Sequence, residues 1–331
     1  MNTPRSDTGR RTVFVYEHVS GGGMAGCDLP ESWLAEGRAM LEAAVTAFAD
    51  AGCDVVTTID PRVEIHLPAD TIRVESPQRA DEILTEMTHR TDHGLVIAPE
   101  TDGILHRLTM LADRKSGWNL GSTSEAVALC GDKIATSRHL IRHGLLLPDP
   151  IPVNEFGESI SHEGLFVVKP IDGAGTVDTF LVPGPSVRSF ADRYLHDPSR
   201  FHCVSFVPGP SAGVSFLCDG QGGAAPVSAC RHEVRFEPVE SWVFRFRLDE
   251  GSPASTPVDD QFAVGREAIR TIPGLFGWVG VDVILDLTGQ VAAILEINPR
   301  LTSSFVWAIN RTKRSEIAAR WLAMGWPKRL K

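Results

Sequence analysis

The 331-residue chain has no apolar run approaching the ~20 residues that a bilayer crossing needs, so a spanning helix is not expected. Its opening stretch, MNTPRSDTGRR, lacks the apolar segment of a secretion signal. Positive charge is not in excess: 32 Lys and Arg stand against 42 Asp and Glu, a formal net charge of −10. That balance argues against a general nucleic-acid or membrane-surface binder. The six cysteines (Cys27, Cys53, Cys130, Cys203, Cys218, Cys230) form no C-x-x-C pair, so free thiols are expected rather than disulfides or a zinc site. No H-E-x-x-H pattern accompanies the histidine pairs His89/His93 and His139/His143, and metal ligation is not expected there. No convincing Cys/His pairing is present either, so no covalent cysteine nucleophile announces itself. These absences predict a cytoplasmic protein with no nucleic-acid and no membrane partner; small-molecule partners are expected, and a homodimer is left open.

Lysine is scarce as well. Only six of the 32 basic residues are lysines, and two occupy unusual places. Lys133 opens a predicted helix, where its charge opposes the helix dipole. Lys169 closes the apolar strand LFVVKP, where it needs an anionic partner. Bound phosphate would answer both. Next to Lys169, Asp172-Gly173-Ala174-Gly175-Thr176 can fold backbone N–H groups around phosphate oxygens, although a plain turn would look the same.

The length suggests two or three domains. TVFVYE (Thr12 to Glu17) reads as a buried strand, ESWLAEGRAMLEAAVTAFADAG as a helix and CDVVTTID as the next strand. With DEILTEMTHR and GLVIAPE repeating the order, residues 11–125 are expected to form a parallel α/β domain. Between the first strand and helix, Gly21, Gly23 and Gly26 satisfy G-x-G-x-x-G, but Cys27 to Pro30 hold the last glycine away from the helix start, against a dinucleotide site. A glycine-rich turn lining a substrate pocket is the preferred reading. Further strands are expected at His202 to Val207, Gly213 to Cys218, Trp242 to Leu248 and Gly277 to Leu285, with a surface connection at DEGSPASTPVDD.

Near the C-terminus, GWVGVDVIL and VAAILEIN read as a hairpin joined by DLTGQ. A three-residue loop with Gly289 in the left-handed position would set Asp282 opposite Ile294 and diagonal to Glu296, on one face with Asn298. A two-residue loop would put Asp282 on the other face. Two carboxylates and an amide oxygen suit Mg²⁺, which substrate phosphates usually complete. Arg300 would add a fixed cation.

These segments resemble the ATP-grasp superfamily. The resemblance rests on GDKIATSRHLIRHGLLLPDP, FVVKPIDGAGT and GVDVIL followed by LEINPR, in order over about residues 95–310. It implies an α/β (α+β) ATP-grasp fold with an N-terminal parallel α/β domain: residues 11–125, then a lysine and glycine-loop subdomain over 126–207 and a metal-binding subdomain over 208–331. It also implies ATP with Mg²⁺ (or Mn²⁺), Lys133 and Lys169 on ATP phosphates, Asp172, Gly173 and Gly175 in the phosphate loop, Asp282, Glu296 and Asn298 on the metal, and Arg300 on the transferred group. Arg300 and Lys169 are the expected catalytic residues. The family commonly holds the ribose with an acid in the hinge strand. Here FHCVSFVPGPSAGVSF has Ser205 and Phe206 instead, leaving backbone groups near Phe206 and Val207 to read the adenine edge. The N-terminal stretches FVYEHVSGG, TTIDPR and IAPETDGIL look like the tyramine-glutamate ligase group, which acts in methanofuran-type cofactor biosynthesis. That implies an ADP-producing carboxylate-amine ligase working through an acyl phosphate. Another ATP-grasp ligase or kinase, or a non-catalytic nucleotide-binding module, are the alternatives. Arg231, Arg245 and Arg247 are expected near a substrate carboxylate, and Thr302, Ser303 and Ser304 near the acceptor.

Overall fold

Alternating apolar runs and amphipathic helices build the expected parallel sheet at the N-terminus. The computed structural model describes residues 9–157, 163–173, 175–240, 242–249, 252–254, 259–307 and 309–325. Strands β1 (Thr12–Glu17), β2 (Asp54–Ile59), β3 (Asp70–Arg73) and β4 (His93–Ile97) lie in the order β3-β2-β1-β4, all parallel. Central β1 is buried on both faces, which is why it reads as continuous apolar sequence. Val13 and Val15 pack with Leu41, Val45 and Phe48 of α1 (Glu31–Asp50). Phe14 and Tyr16 pack the other way, against α2 (Pro77–Arg90) and α3 (Ile104–Ala112) through Ile83, Leu84 and Leu105. Each such side chain contributes roughly 1.5–3 kcal/mol on burial. The α2 start is fixed by Ser76, whose Oγ accepts from the Arg79 N–H, with Pro77 in the first turn.

The glycine run after β1 turns back on the strand instead of opening a helix. The Gly21 N–H donates to Glu17 O at 2.8 Å, and the buried Glu17 carboxylate accepts from the Val19 and Ser20 amides at 3.0 and 2.7 Å. With these groups satisfied internally, the turn does not offer its amides to a phosphate.

After the paired helices α4 (Ser124–Gly131) and α5 (Lys133–Arg142), two antiparallel sheets follow. The six-stranded sheet contains β5 (Ile151–Pro152), β6 (Leu165–Pro170), β7 (Phe180–Pro183) and β8 (Phe201–Ser205). It is completed by β11 (Val234–Glu240) and β12 (Val243–Leu248), in the order β11-β12-β7-β6-β8-β5. The five-stranded sheet has β9 (Ser211–Asp219), β10 (Ala224–Arg231), β13 (Ser252–Pro253), β14 (Phe276–Leu285) and β15 (Val291–Asn298), in the order β13-β10-β9-β14-β15. Residues 234–248 therefore return to the sheet that carries Lys169, although the sequence reading grouped them with the 208–331 segment. The connection DEGSPASTPVDD lies in part outside the described residues.

The β14–β15 turn forms as predicted near its tip. Gly289 has φ +86°, and Leu285 pairs with Val291. Two register shifts on the way down then place Asp282 opposite Glu296, not Ile294. Each bulge adds one residue, so two of them restore the face that a single one would have reversed. Ile294 goes into the opposite core, and Leu295 takes the inward place expected for it. The C-terminal helix (Arg311–Met324) packs Trp321 against Phe48 of α1 at 6.0 Å, and the Trp321 indole N–H donates to Leu120 O, fastening this end to the parallel sheet. Among the described residues, no helix is long and apolar enough to cross a membrane. His89 and His93 fall on different elements, α2 and β4, and share no helix face.

Candidate active site

A cavity of about 340 Å³ opens between the two antiparallel sheets, and Lys133, Lys169, Gly173, Gly175, Asp282 and Glu296 all line it. Residues separated by up to 163 positions thus meet because two sheets face each other. Lys133 reaches the cavity from the start of α5. Asp132 ends α4 with extended backbone angles and caps α5, its Oδ1 accepting from the Ala135 N–H at 2.9 Å. The lysine Nζ contacts Glu296 Oε2 at 3.0 Å and donates to Gly173 O at 2.5 Å, tying α5, β15 and the glycine loop together. Burial opposes its charge, but Glu296 and Glu100 outweigh burial and raise its pKa.

Asp282 and Glu296 face each other across the hairpin and hydrogen-bond through their carboxyl groups, and Asn298 Nδ2 donates to Asp282 Oδ2 at 3.0 Å. Burial pushes Asp282 up. Burial also pushes Glu296 up, but Lys133 and then Lys169 overcome it and hold Glu296 well below the usual carboxylate range. Two part-buried carboxyl groups beside a side-chain amide are hard oxygen donors, a set that fits a divalent ion. Among the described residues there is no group of three or more His, Cys, Asp or Glu placed to hold a metal; two carboxylates and an amide are what the hairpin would offer one.

On the facing wall, Lys169 ends β6 half-buried, and among the described residues no protein group lies within hydrogen-bond distance of its ammonium. Burial first, with Lys133 adding to it, pushes its pKa down to about 8 against the opposing pull of Glu296. Of the glycine loop, Ala174 lies outside the described residues. Asp172 is not directed at the cavity. Its carboxylate accepts from the Asp102 N–H at 2.8 Å and pairs with Arg200 at 3.2 Å, fixing the loop start to the N-terminal domain. In the hinge, Phe206 and Val207 line the cavity, but the Phe206 N–H donates to Leu165 O at 2.8 Å and is spent in the sheet. Ser205 also lines the cavity there, a hydroxyl in place of the acid.

Arg300 is not a free cation. Its Nε and a terminal nitrogen donate to both oxygens of Glu100 at 2.8 Å, and both side chains are nearly buried. Glu100, just beyond β4, was not singled out in the sequence, where it is one acid among many in a loop. His232 was also missed. It lines the cavity, and its charge would lower the pKa of Asp282. Gly213 permits this crowding: a Cβ there would lie 2.9 Å from Asp282 Oδ1 and 3.0 Å from His232 Nε2.

The other expected contacts fall elsewhere. Arg247 pairs with Glu237 and Arg245 lies over the Phe180 ring at 5.2 Å, while Arg231 ends β10 between Ala212 and Ser252. Thr302 Oγ1 accepts from Trp278 Nε1 and bonds Ser304 Oγ, which meets Ser215 Oγ at 3.1 Å. Those hydroxyls brace the end of β15 against β9 and β14; Ser303 accepts backbone N–H groups from the short helix that follows.

Residues 130–304, more than half the chain, match the model of the ATP-grasp domain, and residues 53–127 match that of the pre ATP-grasp 3 domain. The chain belongs to the ATP-grasp family. Family membership implies use of ATP, and the fold is the ATP-grasp fold. Among the curated proteins, this ATP-grasp chain is similar to the tyramine–L-glutamate ligase of Methanocaldococcus jannaschii, 25% identical over 276 residues, covering 82% of this chain and 77% of that one. The tyramine–L-glutamate ligase of Methanocaldococcus fervens is 28% identical over 215 residues, covering 65% of this chain and 60% of that one. Among solved structures, an ATP-grasp superfamily protein from Archaeoglobus fulgidus superposes with a TM-score of 0.66 at 22% identity, covering 96% of this chain and 89% of that one.

Proposed function

We propose that this chain is an ATP-dependent carboxylate-amine ligase that forms an amide through an acyl phosphate, with glutamate as the acid and tyramine or a tyrosine-like molecule as the amine. The observation that carries the reading is the meeting of Lys133, Lys169, Asp282 and Glu296 on one cavity, in a chain whose similar curated proteins bear that ligase name. Lys169 and Lys133 balance phosphate charge and hold the γ-phosphate in line for attack. Asp282, Glu296 and Asn298 would hold Mg²⁺ or Mn²⁺, which neutralises charge on the phosphates when bound.

A carboxylate oxygen of the acid attacks the γ-phosphorus, the bond to the ADP oxygen breaks, and ADP leaves. The amine nitrogen then attacks the acyl carbon, inorganic phosphate departs with the bonding pair, and the amine loses a proton. Arg300 holds the acyl phosphate or the acid's carboxylate, oriented by its Glu100 partner. Catalysis is therefore positioning and electrostatics, with no covalent enzyme intermediate. The test is ADP release with glutamate, tyramine, both or neither, and mass spectrometry of the product. ADP release dependent on both substrates, with γ-glutamyl or α-glutamyl tyramine formed, is expected. ADP release stimulated by neither overturns the substrate assignment.

A further inference from the structure

His202 lies next to the phosphate-facing lysine, and nothing in the proposed reaction uses it. In the β6–β8 ladder Lys169 pairs with His202 and Val167 with Val204. Val167, Lys169 and Val204 line the cavity, whereas Val168 and Cys203 go into the opposite core. By strand alternation His202 is therefore on the cavity side, beneath its rim. It is 1% exposed, and neither ring nitrogen has a hydrogen-bond partner among the described residues. Two unmet polar atoms in a buried ring are costly, and a leucine would fill the same space without that cost. The imidazole is thus suited to a partner acquired in another state of the site.

The surrounding charges identify that partner. Lys169 on β6, Lys133 at the start of α5 and Glu296 on β15 act on the ring, while Asp282 on β14 acts on Lys169. Burial first, then the two lysines, drive the ring's pKa far down, so it is neutral, with one N–H and one bare nitrogen. A bare nitrogen among lysines accepts from an ammonium. Lys133 already donates to Glu296 and Gly173 O, whereas Lys169 has no protein partner among the described residues. Residues directly opposed across an antiparallel pair have Cβ atoms about 4.5–5.5 Å apart, within reach of a lysine and an imidazole.

We propose that His202 is a positioning residue for Lys169: its bare ring nitrogen accepts a hydrogen bond from the Lys169 ammonium when bound nucleotide draws that lysine inward, aiming the remaining N–H groups at the phosphates. The histidine touches no ligand itself. Its neutrality matters, because an imidazolium would repel the lysine it orients. This inference rests on the ATP use in the proposed reaction.

The experiment titrates the full chain with ATP and Mg²⁺ by calorimetry, for wild type, His202→Leu and His202→Asn, and records the melting temperature of each. Leucine removes the acceptor and both unmet atoms, whereas asparagine keeps a neutral acceptor. Expected are a Kd for ATP raised about tenfold in His202→Leu, the loss of one charge-assisted hydrogen bond, with an unchanged or higher melting temperature, and a Kd within about threefold of wild type in His202→Asn. A His202→Leu variant that binds ATP like wild type overturns the proposal. So does a fall in melting temperature and affinity together in both variants, which marks a purely structural histidine. Wild-type protein that does not bind ATP overturns the ligase reading itself, so the two failures are distinct.

Discussion

On the five-stranded-sheet wall of the cavity, Asp282 meets Glu296 and Lys133 closes on Glu296 at 3.0 Å. On the six-stranded-sheet wall, Lys169 faces the cavity without a protein partner among the described residues, and His202 beside it has none either. The first wall has Lys133 and Glu296 paired within the protein before any ligand arrives. The second carries charge and hydrogen-bonding capacity that only a ligand completes. The difference teaches how one site can be both stable and receptive: buried ion pairs fix geometry on one side, and a desolvated lysine with a depressed pKa is held ready on the other. Asp172 belongs with the paired groups, because its carboxylate is committed to Arg200 and Asp102.

The strongest way to break the comparison is Glu296→Gln. It removes the acid that pairs with Lys133 and that would hold the divalent ion, so Mg²⁺-dependent ADP release is expected to fall about a thousandfold or more, with the circular dichroism spectrum unchanged. Turnover at the wild-type rate would show that the paired wall is not the reaction centre. Glu100→Ala comes next. It strands the nearly buried Arg300, and the cost is expected to be about 3–5 kcal/mol in denaturant unfolding; a change under 1 kcal/mol would mean that Arg300 is solvated in solution.

The receptive wall is sharpened by pH. A lysine whose pKa is lowered to about 8 is charged below that pH and neutral above it, so the affinity for ATP should fall as pH rises through about 8 rather than near 10.5. Lys169→Met should bind ATP roughly 10–100-fold more weakly at pH 7 and lose that alkaline fall. An unchanged pH profile in the variant would assign the fall to another group. Smaller still is Asp172→Ala. Its ion pair with Arg200 is largely exposed, so unfolding free energy should change by less than about 1 kcal/mol. A larger loss would make the glycine-loop anchor structural.

Much of the architecture was legible because local chemistry is enough to set it. The run TVFVYE is buried on both faces and forms β1 with the predicted bounds, and LFVVKP, buried on one face, forms β6. Asp132 before Lys133 marks a helix start through its cap. The Gly289 turn followed from the need for positive φ. Register was less legible. Two bulges moved Asp282 from Ile294 to Glu296, and no residue type in VAAILEIN announces an extra residue. Glu100 and His202 were invisible for another reason: a lone acid in a loop and a lone histidine in a strand acquire meaning only from what packs beside them. Arg245 and Arg247 of β12 looked available in sequence because their partners, the Phe180 ring and Glu237, belong to the two strands that flank β12 in the sheet.

By itself, the sequence determined the parallel N-terminal sheet, the two special lysines and the acidic hairpin, since hydrophobic periodicity, capping and turn chemistry act over a few residues. Only the tertiary structure decided that Glu100 grips Arg300, that the Asp172 carboxylate turns to Arg200, and that Lys133 is paired while Lys169, among the described residues, is not. Those choices depend on side chains brought together from opposite sheets and from the N-terminal domain, where burial sets the strength of each charge and no local pattern records the distance.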